Sequence, residues 1–405
     1  MESLKSASIL YAVSLLIANS AFAADTITIG EINPLSGPLA KYGLELARGH
    51  ELAVDEVNAK GGLLGKKVEL IQGDATNPQQ AIAAVDQLAT RDNVDLFSGT
   101  YMSPVSAAAS DAAQRYGRLY WETIATAQEL TERGLTNFVR SGPSAASYAL
   151  EGVAAVKNLV APAFSNQPGE LKIWIEHEDL TFGTSIAQTL KKLLEDEGIK
   201  TVSVTSHSFK AIDLNDTVLR IKQGKPDLLI EIGYVPDGNL LLRSLRDQGY
   251  KIPGVMYLVT GDAPETLEAV GAETLEGLLV VSYPRTDVPE SYSPGGRYYL
   301  EAYRAKYKQE PVATLGMTAY AGMNMLFDAV RAAGSIEAEK VHAAAAKMDR
   351  PLRSYPGGYG VKFDANFQNT RALPVVVQWQ SGIPVTVYPT EAASAGTTLK
   401  NFPRK

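Results

Sequence analysis

Short apolar, β-branched runs alternate with longer amphipathic runs along most of the chain. Residues 26–30, TITIG, read as a strand, Ala40 to Lys60 as a helix stopped by Gly61-Gly62, and Lys67 to Gln72 as a second strand. The spacing from Pro78 to Arg91 predicts a helix with Asn77 as its cap and Pro78 at its first position. Asp95 to Gly134 then reads strand, loop, helix, strand, loop. After Gly142-Pro143 the alternation restarts, with strands at 172–176, 202–206, 228–232 and 255–259 and helices near 183–197, 214–223 and 238–248. Two β-α series separated by a Gly-Pro break predict an α/β protein of two doubly wound, parallel-sheet lobes.

Beyond Tyr283-Pro284 the pattern turns helical, over 294–308, 314–333 and 338–348. Strand-like residues return at Val361 to Asp364 and Pro374 to Trp379, and the polar residues after Pro389 are expected to be loosely held. Placing the late helices back on the first lobe assigns 24–142 and 285–355 to lobe 1 and 143–284 and 356–405 to lobe 2. Several chain crossings between lobes would then make a hinge.

The candidate chemistry lies at predicted strand ends. In a parallel sheet the carboxyl ends line the crevice where ligands bind. Ser103-Pro104 reads as a helix start, with the hydroxyl at the cap and Pro at the first helical position, and unpaired amides at such an end favour anions. Tyr101, Ser106, Glu122, Thr123 and Thr126 stand around it, and Tyr42, Phe182, Tyr234 and Asp262 follow other strands. Any one of these aromatics is more simply a packing residue. Their recurrence at one edge of both lobes indicates a ligand-gripping cleft.

Composition narrows the function by exclusion. A formal net charge of −7 argues against nucleic acid and against an anionic membrane surface as partners. The absence of Cys removes disulfides, thiol catalysis and thiolate metal sites together. Gly61 to Lys66 lacks the spacing and the following Ser or Thr of a phosphate loop, and G-x-S-x-G does not occur. His50, His177, His207 and His342 are far apart, with no pair at helical ligand spacing, so no metal site and no cofactor are expected. A hydrolase on this fold would need a nucleophile with a base, which is not evident. At the amino terminus Lys5, the apolar run Ile9 to Ala18 and Ala21-Phe22-Ala23 read as an export signal cut after Ala23.

Six segments carry a family resemblance: IGEINPLSGPLAKYG from Ile29, VNAKGGLLGKKVEL from Val57, GDATNPQQA from Gly73, the Ser103 loop, ELTERG from Glu129 and GYVPDG from Gly233. In this order the chain resembles the periplasmic binding proteins of the leucine/isoleucine/valine type, the receptors of ABC importers. The resemblance implies a type I periplasmic binding protein fold and a periplasmic monomer that closes over a small carboxylate, first of all an amino acid, and meets an inner-membrane ABC permease. It implies that Ser103 meets the ligand carboxylate, aided by helix-end amides, Thr126 and the Ala125 backbone. Tyr42, Tyr101, Phe182 and Tyr234 fall at positions that wall the pocket. A sensory partner in place of the permease is the alternative role.

Two departures accompany the resemblance. The family's usual disulfide would join the positions of Thr76 and Met102, and neither is Cys. The acid expected to meet the ligand ammonium would fall near Val259, where none stands. Asp262 or Glu122 could take that role; if neither does, the resemblance leaves a carboxylate without an amine, such as an aromatic acid.

Overall fold

In the computed structural model, which describes residues 26–394 and 396–404, the chain begins with β1 (Ile27–Asn33), α1 (Ala40–Ala59), β2 (Val68–Asp74), α2 (Pro78–Thr90), β3 (Leu96–Gly99), α3 (Ser103–Arg115), β4 (Tyr120–Glu122) and β5 (Phe138–Arg140). The expected export signal lies outside the described residues. These five strands form one parallel sheet in the order β2-β1-β3-β4-β5, with Ile27 opposite Val68 and Ile29 opposite Leu96. Helices cover both faces, so the inner strands are buried on both sides, while the edge strand β2 keeps exposed polar residues such as Glu69 and Asp74.

The second lobe starts with α4 (Ala145–Ala155), which continues through a π turn into the short α5 (Ala161–Ala163). There follow β6 (Ile173–Glu178), α6 (Thr181–Asp196), β7 (Thr201–His207), α7 (Asn215–Gly224), β8 (Leu228–Ile232), α8 (Val235–Asp247), β9 (Gly254–Leu258), α9 (Pro264–Val270), α10 (Ala272–Leu275) and β10 (Leu279–Ser282). The chain then returns to the first lobe through α11 (Gly296–Tyr307), α12 (Leu315–Ala333) and α13 (Ala338–Ala345), and α12 lies against α1. β11 (Asp349–Arg350) pairs with β12 (Val361–Lys362), after which β13 (Val375–Gln380) and β14 (Ile383–Tyr388) join the second sheet. That sheet runs β14-β13-β10-β9-β8-β6-β7, and only β13 and β14 are antiparallel to their neighbours.

Both sheets share one winding order, since β7-β6-β8-β9-β10 repeats β2-β1-β3-β4-β5. The winding therefore reverses between β1 and β3 in one lobe and between β6 and β8 in the other, and crevices open at the carboxyl ends of such strand pairs. Three connections join the lobes: β5 to α4, β10 to α11, and the segment before β13. At the first of these Gly142 lies so close to the Thr123 carbonyl that a side chain would collide with it.

The chain leaves the first lobe for the last time later than residue 355. Phe363 and Ala372 sit in the core formed by Ile27, Ile29, Trp121 and Met325, and the Arg140 backbone bonds those of Phe367 and Asn369. The reason is local: Val361–Lys362 find their pairing partner in Asp349–Arg350, not in the second sheet. The carboxyl-terminal stretch is also better anchored than its polar composition suggests. The Gln378 amide donates to the Lys400 carbonyl at 2.9 Å, Arg404 donates to the carbonyls of Thr274 and Glu276, and Phe402 packs edge-on against Phe164.

Candidate functional site

The residues that follow β1, β3, β6 and β8 converge where the two lobes face each other. On α1, Gly43 abuts the Pro34 carbonyl with no room for a side chain, which brings the preceding Tyr42 to the carboxyl edge of the sheet. The Tyr42 and Tyr101 rings stack, with centroids 5.3 Å apart and planes 11° from parallel. From the second lobe Tyr234, immediately before α8, brings its ring to 5.7 Å from that of Tyr101. Phe182 in the first turn of α6 and Phe209 after β7 flank Tyr234 at 4.8 and 5.1 Å. One apolar cluster therefore runs unbroken from the first lobe through these rings into the second. Burial pushes the Tyr101 and Tyr234 phenols well above their ordinary range, so both remain neutral donors.

Ser103 is the first residue of α3, and Met102 holds the cap position without a side-chain cap bond. The expectation of a Ser103 cap is thus corrected. Its Oγ accepts from the Ala127 amide at 3.2 Å, across to the loop after β4, and its own proton is left to donate. Thr126, the residue before, is buried, and its hydroxyl has no hydrogen-bond partner. The Tyr234 hydroxyl is drawn toward the Ser103 amide but makes no bond of good geometry, and it too is unpartnered. Donors from both lobes therefore meet at the start of α3.

Glu122 lies in this neighbourhood but is occupied. Its carboxylate accepts from six donors: the amides of Thr100, Thr123, Ile124 and Ala125 and the hydroxyls of Thr100 and Ser106. Burial acts to raise its pKa and these donors oppose it. Glu122 thus shapes the loops after β3 and β4. Ala125 is spent in the same way, with its amide on Glu122 and its carbonyl accepting from Arg140 at 3.1 Å. Arg140 also donates to the Ala127 carbonyl at 2.6 Å and to Gln368, so a buried guanidinium holds the Thr126 loop from beneath. Burial pulls the Arg140 pKa down to about 10, which leaves it charged at neutral pH.

Asp262 is likewise paired, accepting from Ser282 at 2.8 Å and from Arg285 at 3.0 Å. Neither acid expected to face a ligand ammonium has an unshared role at the rings. The structure instead brings in an acid that sequence reading passed over: Glu265, in the first turn of α9, accepts from the Tyr42 hydroxyl and lies 2.6 Å from Lys41. Ala263-Pro264-Glu265 carried a legible signal, Pro followed by an acid at a helix start after a strand. Asn33, fully buried at the carboxyl end of β1 with neither amide atom bonded, was also missed, as was Phe209.

The arrangement defines a class: a two-lobed α/β clamp whose facing edges present rings and unspent hydroxyls, with the lobes joined by three strands of chain. The chain belongs to the periplasmic binding protein family, whose pattern it matches over residues 26–382, and it is a solute-binding protein rather than an enzyme. It is 35% identical over 382 residues to Leu/Ile/Val-binding protein homolog 7 of Brucella suis, covering 94% of this chain and 96% of that one. Its fold is similar to that of the branched-chain amino acid substrate-binding protein LivJ of Streptococcus pneumoniae in complex with isoleucine, at TM-score 0.74 and 22% identity over 89% of this chain and 99% of that one. A solute-binding protein from Rhodopseudomonas palustris in complex with p-hydroxybenzoic acid is similar at TM-score 0.73 and 22% identity, over 91% and 95%.

Proposed function

We propose that the protein is an exported receptor that binds a small aromatic carboxylate between its lobes and delivers it to an ABC permease. The supporting observation is the pairing of rings from both lobes, Tyr42 and Tyr101 with Phe182, Phe209 and Tyr234, with the unpartnered hydroxyl of Thr126 and that of Ser103, whose proton is left to donate. The Tyr101 and Tyr234 rings now touch at 5.7 Å, and a planar ring that parts them gains offset-stacked and edge contacts with both lobes. Its carboxylate takes the Ser103 and Thr126 protons and the first-turn amides of α3, where the helix end favours an anion. Touching both lobes, the ligand shifts the population toward closure, because the open form lacks half of its contacts.

The aromatic class is preferred to the aliphatic amino acids because Glu122 already holds six donors and Asp262 is paired with Arg285 and Ser282. Glu265, the acid at the rings, is already shared by Lys41 and the Tyr42 hydroxyl, and an ammonium buried among the rings without a carboxylate of its own would be costly. The similarity to a p-hydroxybenzoate-bound protein agrees with this reading. Export through a signal cut after Ala23 and a monomeric receptor complete it.

The test is a thermal-shift screen of benzoate-like and phenylpropanoid acids against leucine, isoleucine and valine. A ligand at a hundredfold excess over its Kd stabilises by about 2.7 kcal/mol. Shifts with the aromatic acids and none with the aliphatic amino acids support the reading, and the reverse pattern overturns it.

A further inference from the structure

Behind the Tyr234 ring the second lobe holds a polar cluster that the cleft does not use. His207 ends β7, Glu176 and Glu231 stand on β6 and β8, and Asp237 is in the first turn of α8; all four are buried. The His207 Nδ1 lies 3.1 Å from Glu176 Oε1 and its Nε2 lies 3.2 Å from Asp237 Oδ2. Ligand-capable atoms of His207, Glu231 and Asp237 all fall within 4.8 Å of one another. Among the described residues this is the group of His and acidic side chains with that closeness.

His207 is the one base of the cluster, bonded to Glu176 and Asp237 and set among three carboxylates, and donors are short at Glu231 and Asp237. Glu231 is fully buried with neither oxygen hydrogen-bonded, and Asp237 Oδ1 is also unpartnered. Glu176, by contrast, is supplied by Thr205 and Trp174. A buried carboxylate without a partner costs several kcal/mol, a cost that a metal ion or a proton would remove. The His207–Asp237 separation of 3.2 Å is that of a hydrogen bond and also falls in the roughly 3.0–3.4 Å between two donors each about 2.1 Å from one ion, so an ion could replace the shared proton, with a small inward shift of the three groups from their present spread of up to 4.8 Å. Glu176 on Nδ1 is placed to hold the imidazole with Nε2 toward the acids, as carboxylates behind metal-bound histidines do. At Gly233 a Cβ would collide with both Glu231 and Asp237, so the backbone here leaves room for the two carboxylates to converge.

We propose that His207, Glu231 and Asp237 bind one divalent first-row metal ion, which ties β7, β8 and the start of α8 together beneath Tyr234. One nitrogen with two carboxylates suits zinc or manganese better than calcium, which takes six to eight oxygens. The four histidines are far apart in sequence, and the expectation of no metal rested on that. The fold supplies the acids that the His spacing could not reveal.

The probe is zinc, added to chelator-stripped full-length protein. The proposal expects one equivalent bound by calorimetry, a rise in Tm of roughly 3–6 °C at a hundredfold excess over Kd, and at least a tenfold loss of affinity in Glu231→Gln. Stoichiometric binding that is unchanged in Glu231→Gln, or no binding near one equivalent, overturns it. Should that variant fail to fold, X-ray absorption on the zinc-loaded wild type decides: one imidazole with oxygen neighbours supports the site, and two or more imidazoles refute it.

Discussion

The Tyr42 hydroxyl of the first lobe donates to the Glu265 carboxylate of the second, and Lys41 lies 2.6 Å from the same carboxylate. This contact spans the cleft between two helix starts, so it exists only while the lobes are together. Lys41 is largely exposed, and its share is small in salt. The hydrogen bond is the partly buried component. Replacing Tyr42 by Phe keeps the stacked ring and removes the bond. The expected result is a ligand affinity weakened by about 1 kcal/mol, roughly fivefold, with a larger population of open molecules in small-angle scattering. Unchanged affinity and shape would exclude a latch at this position.

Ser103 accepts from the Ala127 amide, and in the proposed site it offers its own proton to the ligand. Ser103→Ala is expected to weaken carboxylate binding by about 1–3 kcal/mol, because both the Ala127 amide and the ligand lose a partner. Calorimetry with any bound aromatic acid checks this. An affinity equal to that of the wild type removes Ser103 from the site.

Glu122 is expected to matter for stability first. In Glu122→Gln an amide NH2 must face donors that now meet a carboxylate, and the loss is about 3 kcal/mol in urea unfolding. Ligand affinity should fall with it, since the Thr123 to Ala125 amides lose their common anchor. A stability within about 0.5 kcal/mol of wild type would show that this network is not needed.

Glu45 on α1 gives a pH dependence. Burial pushes its carboxyl up to about 7, against the bonds from Tyr303 and the nearby Arg48. The folded protein thus keeps a proton between about pH 4.5 and 7 that the unfolded chain releases. This contribution is present in full below pH 4.5 and is lost as pH rises through 7. Glu45→Gln should therefore gain stability over wild type by on the order of 2–3 kcal/mol at pH 8 relative to pH 5, read from urea midpoints. An equal difference at both pH values would contradict it.

What was legible in the sequence followed from local rules. Asn77-Pro78 marked a helix start, and the Asn77 side chain does cap α2 by accepting from Gln80. The β-α alternation implied both lobes because parallel strands need crossovers between them. The rings Tyr42, Tyr101, Phe182 and Tyr234 were visible because each follows a strand. Less was visible where a residue's role depends on distant partners. Nothing near Glu122 in sequence announces six donors, and Asp262 gave no sign of Arg285 on the far side of β10. Ser103 was read as a cap because Ser before Pro is a common start, yet the tertiary bond to Ala127 claims its oxygen. The strand pairing of 361–362 with 349–350 set the last crossing later than composition suggested.

The central claim is that the cleft grips a carboxylate and has no place for an ammonium. The most direct test is calorimetry with 3-phenylpropionate and phenylalanine, which share ring and carboxylate and differ by the amine. The account predicts that 3-phenylpropionate binds at least tenfold more tightly, a difference of about 1.4 kcal/mol or more. Tighter binding of phenylalanine, or high-affinity leucine with no response to 3-phenylpropionate, would contradict it and return the site to the amino acids.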